Sequence, residues 1–593
     1  MPQPDQGRAD DAWAAAGGAR SNRRSFIKQG LLAGGTVLLG AGATAAGGGS
    51  AHPPKRGAHK LAKAPRRRPP NILVVLVDQL RTPVWLPAGV SHATVMPTLA
   101  ALRAGAVNFE RHYSASNDCS PSRGTLLTGL YSHQTGCLIT GNSRLNPGFP
   151  TWGTLLRERG YHTNWWGKWH LNPDPNASLQ QYGFGGGTYP SPNGAPGQGT
   201  DVDPEITAQF AEWFREAGGH GPWCSTVSLV NPHDIAWWYR FTSKIAPESA
   251  PPAWANALPP NFETPEMHEA QRKPRLQRSL QSTADRSFGQ VPFDGPEAVP
   301  MWSGLMNTYL LLQNYVDAQI RAVLNTLASQ PAVQANTVVI FTSDHGEYGG
   351  SHGMRGKGAS AYEEAIRVPL SVRDFRPHGL AATAASAIPR SQLTSSVDVI
   401  ALLLTLATGS NAWRHESHYA HLASRHDLAA ICAHPSAPGR DWILHATDED
   451  VTEFATEAYA AEAPRHVVAL RSRRGKLATY FNWRAETTEI EPSGQEFELY
   501  DYSQPAGRAE LLNSAGTGNP LEEELWTTLE TQALDGELRA PLPTRLHGAQ
   551  RHGLADYAGV EEFENLKVYA TRQNRNPPPE TGPEAQATTQ ATT

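Results

Sequence analysis

One short segment concentrates residue types that could do chemistry: Cys119-Ser-Pro121-Ser-Arg123-Gly-Thr-Leu-Leu-Thr128-Gly129. A small nucleophile stands just before a proline, an arginine and a helix-like run. The spacing therefore puts Cys119 at a helix N-terminus, where free backbone N–H groups favour an anion. Arg123 adds a fixed positive charge. By physics alone this is either an activated thiol, because a helix N-terminus and an arginine both lower a cysteine's pKa, or an inert buried cysteine.

Further polar groups stand just past hydrophobic runs. Asp78 and Gln79 follow Ile72–Val77, Gly167-Lys168-x-His170 follows Tyr161–Trp166, and Asn231-Pro232-His233 follows a run beginning at Cys224. Asp344-His345-Gly346-Glu347 follows Thr337–Ser343, and Gly356-Lys357-Gly358 comes soon after. Asp78, Gln79, Asp344 and His345 are the candidate metal ligands, two pairs from two strand ends. Carboxylates with an amide oxygen suit a hard cation such as Ca2+, whereas an imidazole is more at home on Mn2+, iron or zinc. Arg123, Lys168, Lys357 and His233 offer positive charge and hydrogen bonds beside these strand ends.

These positions require elements that bring them together. The β-branched run Asn71–Val77 reads as a strand buried on both faces, and the runs before Gly167, Asn231 and Asp344 repeat the design. Helical stretches at Met96–Ala104, Trp152–Arg159, Ile206–Glu216 and Leu305–Leu327 lie between them. Such alternation predicts an α/β domain with a mainly parallel central sheet flanked by helices, its ligands beyond the carboxyl ends of the strands. All four polar strand ends would then face one crevice. Residues 234–300, rich in Pro and polar residues, read as a long insertion over it. After residue 420 the alternation weakens. Val467–Arg471 and Lys476–Phe481 predict antiparallel strands of a smaller C-terminal α+β domain.

The domain reading is thus a catalytic domain over 71–420, a smaller domain over 421–573 and a disordered tail over 574–593. Residues 1–45 carry Arg23-Arg24-Ser-Phe26-Ile-Lys28 before a glycine-softened apolar run ending at Ala43-Thr-Ala45, the pattern of a twin-arginine signal peptide with a cleavage site. That run is too short for a stable membrane span. Residues 46–70 read as a flexible basic linker. The expected location is periplasmic or secreted.

With 39% hydrophobic and 18% charged residues, the 593-residue chain has a globular composition, and a net charge of −5 argues against a nucleic-acid binder. Four cysteines in so long a chain are no disulfide framework, so any that matters acts singly. The clusters Trp165-Trp166-x-x-Trp169 and Trp237-Trp238-Tyr239 are either aromatic walls around a site or core packing.

Cys-x-Pro-x-Arg followed by Leu-Thr-Gly resembles the signature of the type I sulfatases, members of the alkaline-phosphatase-like superfamily. The blocks at Gly160–His170, Asn231–His233, Ser343–Glu347 and Gly356–Leu370 follow in the family order, and Glu498-Leu-Tyr-Asp501 is similar to its C-terminal landmark. The resemblance implies hydrolysis of a sulfate ester, with Cys119 oxidised to formylglycine by a formylglycine-generating enzyme before the Tat translocase exports the chain. It also implies a divalent metal held by Asp78, Gln79, Asp344 and His345 together with the modified Cys119. The hydrated aldehyde would attack sulfur, His233 or Lys357 would protonate the leaving alkoxide, and His170 would take the proton that lets sulfate go. The commoner family pairs are Asp-Asp and Asp-Asn. Gln79 and His345 match instead the choline-sulfatase-like and phosphonate-monoester-hydrolase-like branches, which keeps a phosphonate monoester or phosphodiester open as the alternative substrate. A non-catalytic anion- or glycan-binding homologue is the reading from another class.

Overall fold

In a computed structural model the described residues are 68–140, 144–246, 252–380, 387–451, 455, 458–484 and 491–561. Residues 1–45, read from the sequence as a signal peptide, nearly all of 46–70, read as a linker, and 574–593, read as a tail, lie outside them. Strand β1 (Asn71–Val77) is buried along its whole length. Ile72, Val74 and Leu76 enter one core and Leu73, Val75 and Val77 another, because successive side chains point to opposite faces of the sheet. Each such side chain stabilises the fold by about 1.5–3 kcal/mol relative to exposure. That is why the run carries no polar alternation until Asp78.

Around β1 lie β2 (Val107–Tyr113), β3 (His162–Gly167), β4 (Gly185–Gly186), β5 (Trp223–Leu229), β6 (Thr337–Ser343), β7 (Leu370–Asp374) and β8 (Arg390–Ser395), in an eight-stranded sheet of order β4-β3-β5-β1-β6-β7-β2-β8. β1 pairs in parallel with β5 and β6, β3 with β4 and β5, and β2 with β8. β7 runs antiparallel to both β6 and β2. The sheet is therefore mainly parallel and flanked by helices, as the alternation predicts. Since β3, β5, β1 and β6 are parallel neighbours, Lys168, Asn231, Asp78 and Asp344 emerge at the same edge.

The flanking helices include α1 (Pro97–Ala104), α2 (Cys119–Thr128), α3 (Trp152–Arg157), α4 (Gln198–Ala217), α5 (Arg275–Phe288), α6 (Ala298–Ala328) and α7 (Val399–Thr408). Residues of α4 and α6 share one core with β1, and α3 and α7 fill the other. Two helices begin earlier than their apolar periodicity suggests. Polar side chains cannot signal the added turns of α4, which are held because Asp234 accepts the N–H groups of Gly199 and Thr200 at 3.2 and 3.1 Å. The first turns of α6 carry Trp302, which packs in the same core as the insertion residues Ala284 and Phe288. The insertion itself contains α5, with Leu276, Leu280, Ala284 and Phe288 buried on one face.

β9 (Trp442–Thr447), β10 (His466–Ser472), β11 (Gly475–Phe481) and β12 (Glu496–Asp501) form a second, antiparallel sheet of order β12-β11-β10-β9. Both of its faces are covered. Ile443, Val467, Ala469 and Tyr480 pack with Met354, Ala359 and Tyr362, so this sheet supports the segment that carries Lys357. Among the described residues no helix is long and apolar enough to cross a membrane.

Candidate active site

Cys119 is the first residue of α2, with Asp118 as its extended N-cap, and every residue of that helix is buried. Its Sγ lies 3.1 Å from Lys357 Nζ, 3.5 Å from Lys168 Nζ and 3.2 Å from His345 Nε2. Asp78 Oδ1 is 3.8 Å away. One sulfur thus meets groups from the ends of β1, β3 and β6 and from the loop before β7.

Arg123 stands one turn further along α2, beneath the sulfur. Its Nη2 donates to Asp78 Oδ2 at 2.8 Å, its Nε to Asp344 Oδ2 at 2.9 Å, and its Nη1 to Lys168 O at 2.7 Å and Ser228 Oγ at 3.0 Å. Both ion pairs are fully buried. The planar fork suits this task because it reaches two carboxylates and a carbonyl at fixed angles. Lys168 Nζ adds a third buried ion pair, 2.9 Å from Asp78 Oδ2.

Burial alone would raise the Asp78 carboxyl, but Lys168, His233, Arg123 and His345 outweigh it and hold the group well below the usual carboxylate range. His345 is pushed below its ordinary value by burial first, with Lys357 adding repulsion against the pull of Asp344 and Asp78. A neutral imidazole offers a lone pair. Its Nδ1 lies 3.1 Å from Gly346 O, which leaves Nε2 facing the sulfur and Asp78 Oδ1 at 3.6 Å.

Ligand atoms of Asp78, Cys119, Asp344 and His345 all lie within 4.8 Å of one another and are buried. Gln79 joins them through an unusual backbone, φ +64° in a non-glycine residue. Its N–H donates to Asp344 Oδ1 at 3.1 Å and its carbonyl accepts from Tyr309 Oη at 2.7 Å. Two carboxylates, an imidazole nitrogen and an amide oxygen beside an anionic-group cradle fit one divalent cation. Ser343, quoted in the motif but given no role by sequence reasoning, ties the two ligand strands together. Its Oγ donates to Val77 O at 2.6 Å and accepts from Leu80 N at 2.9 Å.

His233 is fully buried on the turn after β5, close enough to Asp78 to act on its charge. Asp203 holds the turn by accepting Val230 N at 2.6 Å and Asn231 N at 2.9 Å. Gly194, at φ +94°, packs directly on the imidazole, where a Cβ would come within 2.4 Å of its Cε1. His170 has φ +55°, and its carbonyl accepts from Ser120 Oγ at 2.6 Å, fixing the residue to the start of α2. Gly167, at φ +94°, lets the end of β3 lie close against β5 before Lys168, since a Cβ there would sit 2.0 Å from Ser228 O.

The tryptophans divide differently from an aromatic wall. Trp165 and Trp169 are core residues whose rings meet edge to face at 5.0 Å, with Phe184 and Tyr182 around them. Trp165 Nε1 also donates to Lys168 O at 3.2 Å. Trp166 packs on Trp213 at 6.1 Å, and Trp237 and Trp238 are buried. Tyr239 alone of these six is exposed, at 42%. Burial wins because large aromatic surfaces beside a sheet are stabilised more by packing than by waiting for a ligand.

Sequence reasoning also passed over Glu347 and Asp118. Glu347 accepts from Gln79 Nε2 at 2.5 Å, and Asp118 Oδ2 accepts from Thr447 Oγ1 at 2.7 Å, linking the second sheet to the helix that begins at Cys119. Glu347 stood inside a quoted motif; nothing local marked Asp118, whose partner is 329 residues away.

A mainly parallel sheet whose strand ends bring together a buried thiol, three cationic side chains and a cluster of candidate metal ligands matches the arrangement of the alkaline-phosphatase-like superfamily of anionic-ester hydrolases. The sulfatase family model matches residues 70–410, more than half of the chain, and the chain belongs to the sulfatase family of sulfuric ester hydrolases. It is 28% identical over 372 residues to the uncharacterized sulfatase YidJ of Escherichia coli, covering 57% of this chain and 67% of that protein. The choline-sulfatase of Rhizobium meliloti is 26% identical, covering 51% of this chain and 62% of that protein. Among solved structures, a phosphonate monoester hydrolase from Silicibacter pomeroyi shares the fold with TM-score 0.57 at 21% identity, covering 80% of this chain and 96% of that one.

Proposed function

We propose that the chain is an exported sulfatase that hydrolyses a sulfate ester to an alcohol and inorganic sulfate, with Cys119 as the precursor of a formylglycine nucleophile. The observation that carries the reading is the placement of Cys119 Sγ, at a helix start within 3.1–3.5 Å of Lys357, His345 and Lys168. A buried thiol with no further task would not gather two lysines. Formylglycine supplies a hydrated aldehyde, whose two hydroxyls allow attack on sulfur and then release of sulfate. Asp78, Gln79, Asp344 and His345 together with the modified residue 119 would hold a divalent cation, calcium or with the imidazole manganese, which would supply positive charge to polarise the sulfate group and activate the nucleophile.

The chain's own residues do the rest. Lys168 and Lys357 place ammonium groups where the sulfuryl oxygens gain charge as the ester bond breaks. Arg123 holds Asp78 and Asp344 in place through its fork. Lys357 or His233 gives a proton to the departing alkoxide, and His170 accepts the proton that expels sulfate. Gln79 and His345 favour one second reading, a phosphonate monoester or phosphodiester handled by the same groups, since sulfuryl and phosphoryl centres share a tetrahedral shape.

The twin-arginine motif supports export to the periplasm or beyond, after modification by a formylglycine-generating enzyme, with the Tat translocase as the carrier. An extracellular sulfatase homologue of Drosophila melanogaster is among the relatives. Relatives named for ulvan, hexuronate and N-acetylglucosamine sulfates support a sulfated carbohydrate as the substrate class, beside choline sulfate. The test is a panel of aryl, choline and carbohydrate sulfates and an aryl phosphonate, run on protein whose residue 119 has been verified by peptide mass spectrometry. Sulfate release by wild type and none by Cys119→Ala is expected. Full activity from unmodified cysteine refutes the nucleophile, and faster phosphonate turnover refutes the substrate class.

A further inference from the structure

Glu347 is fully buried three residues beyond Asp344, and it meets three donors. Its Oε1 accepts from Gly349 N at 3.0 Å and Gly356 N at 2.8 Å, and its Oε2 accepts from Gln79 Nε2 at 2.5 Å. The other end of the same amide, Gln79 Oε1, accepts from Lys357 Nζ at 2.9 Å, and that ammonium lies 3.1 Å from Cys119 Sγ. Glu347, Gln79, Lys357 and Cys119 thus form one hydrogen-bonded line from the protein interior to the reacting atom.

The polarity of this line is fixed by chemistry. An amide has a donor end and an acceptor end of nearly equal shape, so packing alone leaves two orientations. A carboxylate only accepts and an ammonium only donates, so an amide between them has a single satisfied orientation. The backbone of Gln79 is clamped independently, by Asp344 Oδ1 and Tyr309 Oη, which leaves the side-chain amide as the part still to be set.

We propose that Glu347 is the positioning residue that turns the Gln79 amide oxygen towards Lys357 and the cation site, and that it anchors the Lys357 loop through Gly356 N. This rests on the reading of Gln79 as a cation ligand and Lys357 as a group at the reacting centre. Glu347 touches neither substrate nor sulfur and acts through Gln79. The sequence carries the device as a pair: a neutral ligand at 79 in place of a carboxylate needs an orienting acceptor behind it, whereas a carboxylate there would need none.

The test uses full-length protein and Mn2+ as the probe, with affinity read by paramagnetic resonance during chelator competition and folding read by thermal melting. In Glu347→Gln, the new amide can keep its oxygen on the two glycine N–H groups and offer its NH2 to Gln79, which then turns its own NH2 towards Lys357. Loss of an outer partner of this kind typically costs about 10- to 100-fold in metal affinity, and that loss is expected here. Gln79→Glu alone places two carboxylates face to face and should bind Mn2+ more weakly than the exchange variant Gln79→Glu/Glu347→Gln, in which the amide introduced at position 347 donates and residue 79 again presents oxygen. Recovery in the exchange variant is the decisive result, because a merely structural role for Glu347 predicts additive losses. Unchanged Mn2+ affinity in Glu347→Gln, or no recovery in the exchange, overturns the proposal. Both outcomes are read without turnover, so a failed sulfatase assay would count against the proposed function and leave this comparison intact.

Discussion

Replacing Arg123 by lysine keeps the charge and removes the fork. The arginine makes four hydrogen bonds to fully buried groups, two of them to carboxylates, at 2.7–3.0 Å. A single ammonium in its place cannot reach Asp78 and Asp344 together and still satisfy Lys168 O. Asp78 retains Lys168 at 2.9 Å, and Asp344 Oδ1 retains the N–H groups of His345 and Gln79 at 2.9 and 3.1 Å, so neither carboxylate is abandoned. Two charge-assisted bonds at about 1.5–3 kcal/mol each set the scale, and the remaining partners place the loss at its lower end, about 3 kcal/mol. The same loosening releases the two carboxylates that frame the metal cradle. With about 1.4 kcal/mol per factor of ten, kcat/KM should fall by about 100-fold or more. Urea unfolding followed by tryptophan fluorescence reads the first quantity and aryl sulfate hydrolysis the second. Stability within about 0.5 kcal/mol of wild type together with activity within about threefold would show that the fork aligns nothing.

Two further outcomes follow from the geometry. Gly194→Ala drives a methyl to 2.4 Å from His233 Cε1 at a backbone φ of +94°, so turnover should drop by about tenfold or more while Mn2+ affinity stays at the wild-type value; unchanged kcat would separate His233 from the reaction. Asp448 lies 3.1 Å from His133 Nε2 and 3.2 Å from His466 Nδ1. Burial works against its carboxyl, and the two histidines carry it down from 3.8 to about 2. A carboxyl depressed on folding stabilises above its unfolded pKa and loses that contribution as the pH falls through the folded one. Asp448→Asn should therefore cost about 2 kcal/mol at pH 5, a gap that narrows between pH 4 and pH 2 in urea titrations; a gap constant with pH would contradict the assignment.

Much of the eight-stranded sheet was legible in the sequence. A strand such as Asn71–Val77 must be buried on both faces to be so uniformly apolar, and the polar residues that end such strands have one edge to share. What could not be read was anything that depends on who stands opposite. For Trp165 and Trp169 the sequence left site wall and core packing equally open, because local pattern does not distinguish a ring that packs on Phe184 from one that waits for a sugar. The helical structure of the insertion was missed for a similar reason: α5 is mostly polar in sequence, and its four apolar residues gain meaning only against their buried partners.

Sequence by itself determined the parallel sheet, the helix start at Cys119 and the set of charged residues, because each rests on short-range periodicity or on groups within a few positions of each other. Tertiary structure alone decided the wiring. Thr447 reaches Asp118 across 329 positions, Glu347 reaches Gln79 across 268, and Arg123 reaches Asp344 across 221. These bonds are directional and close only when distant strand ends are brought within about 3 Å, a condition that residue types can permit but that packing of the whole sheet must impose.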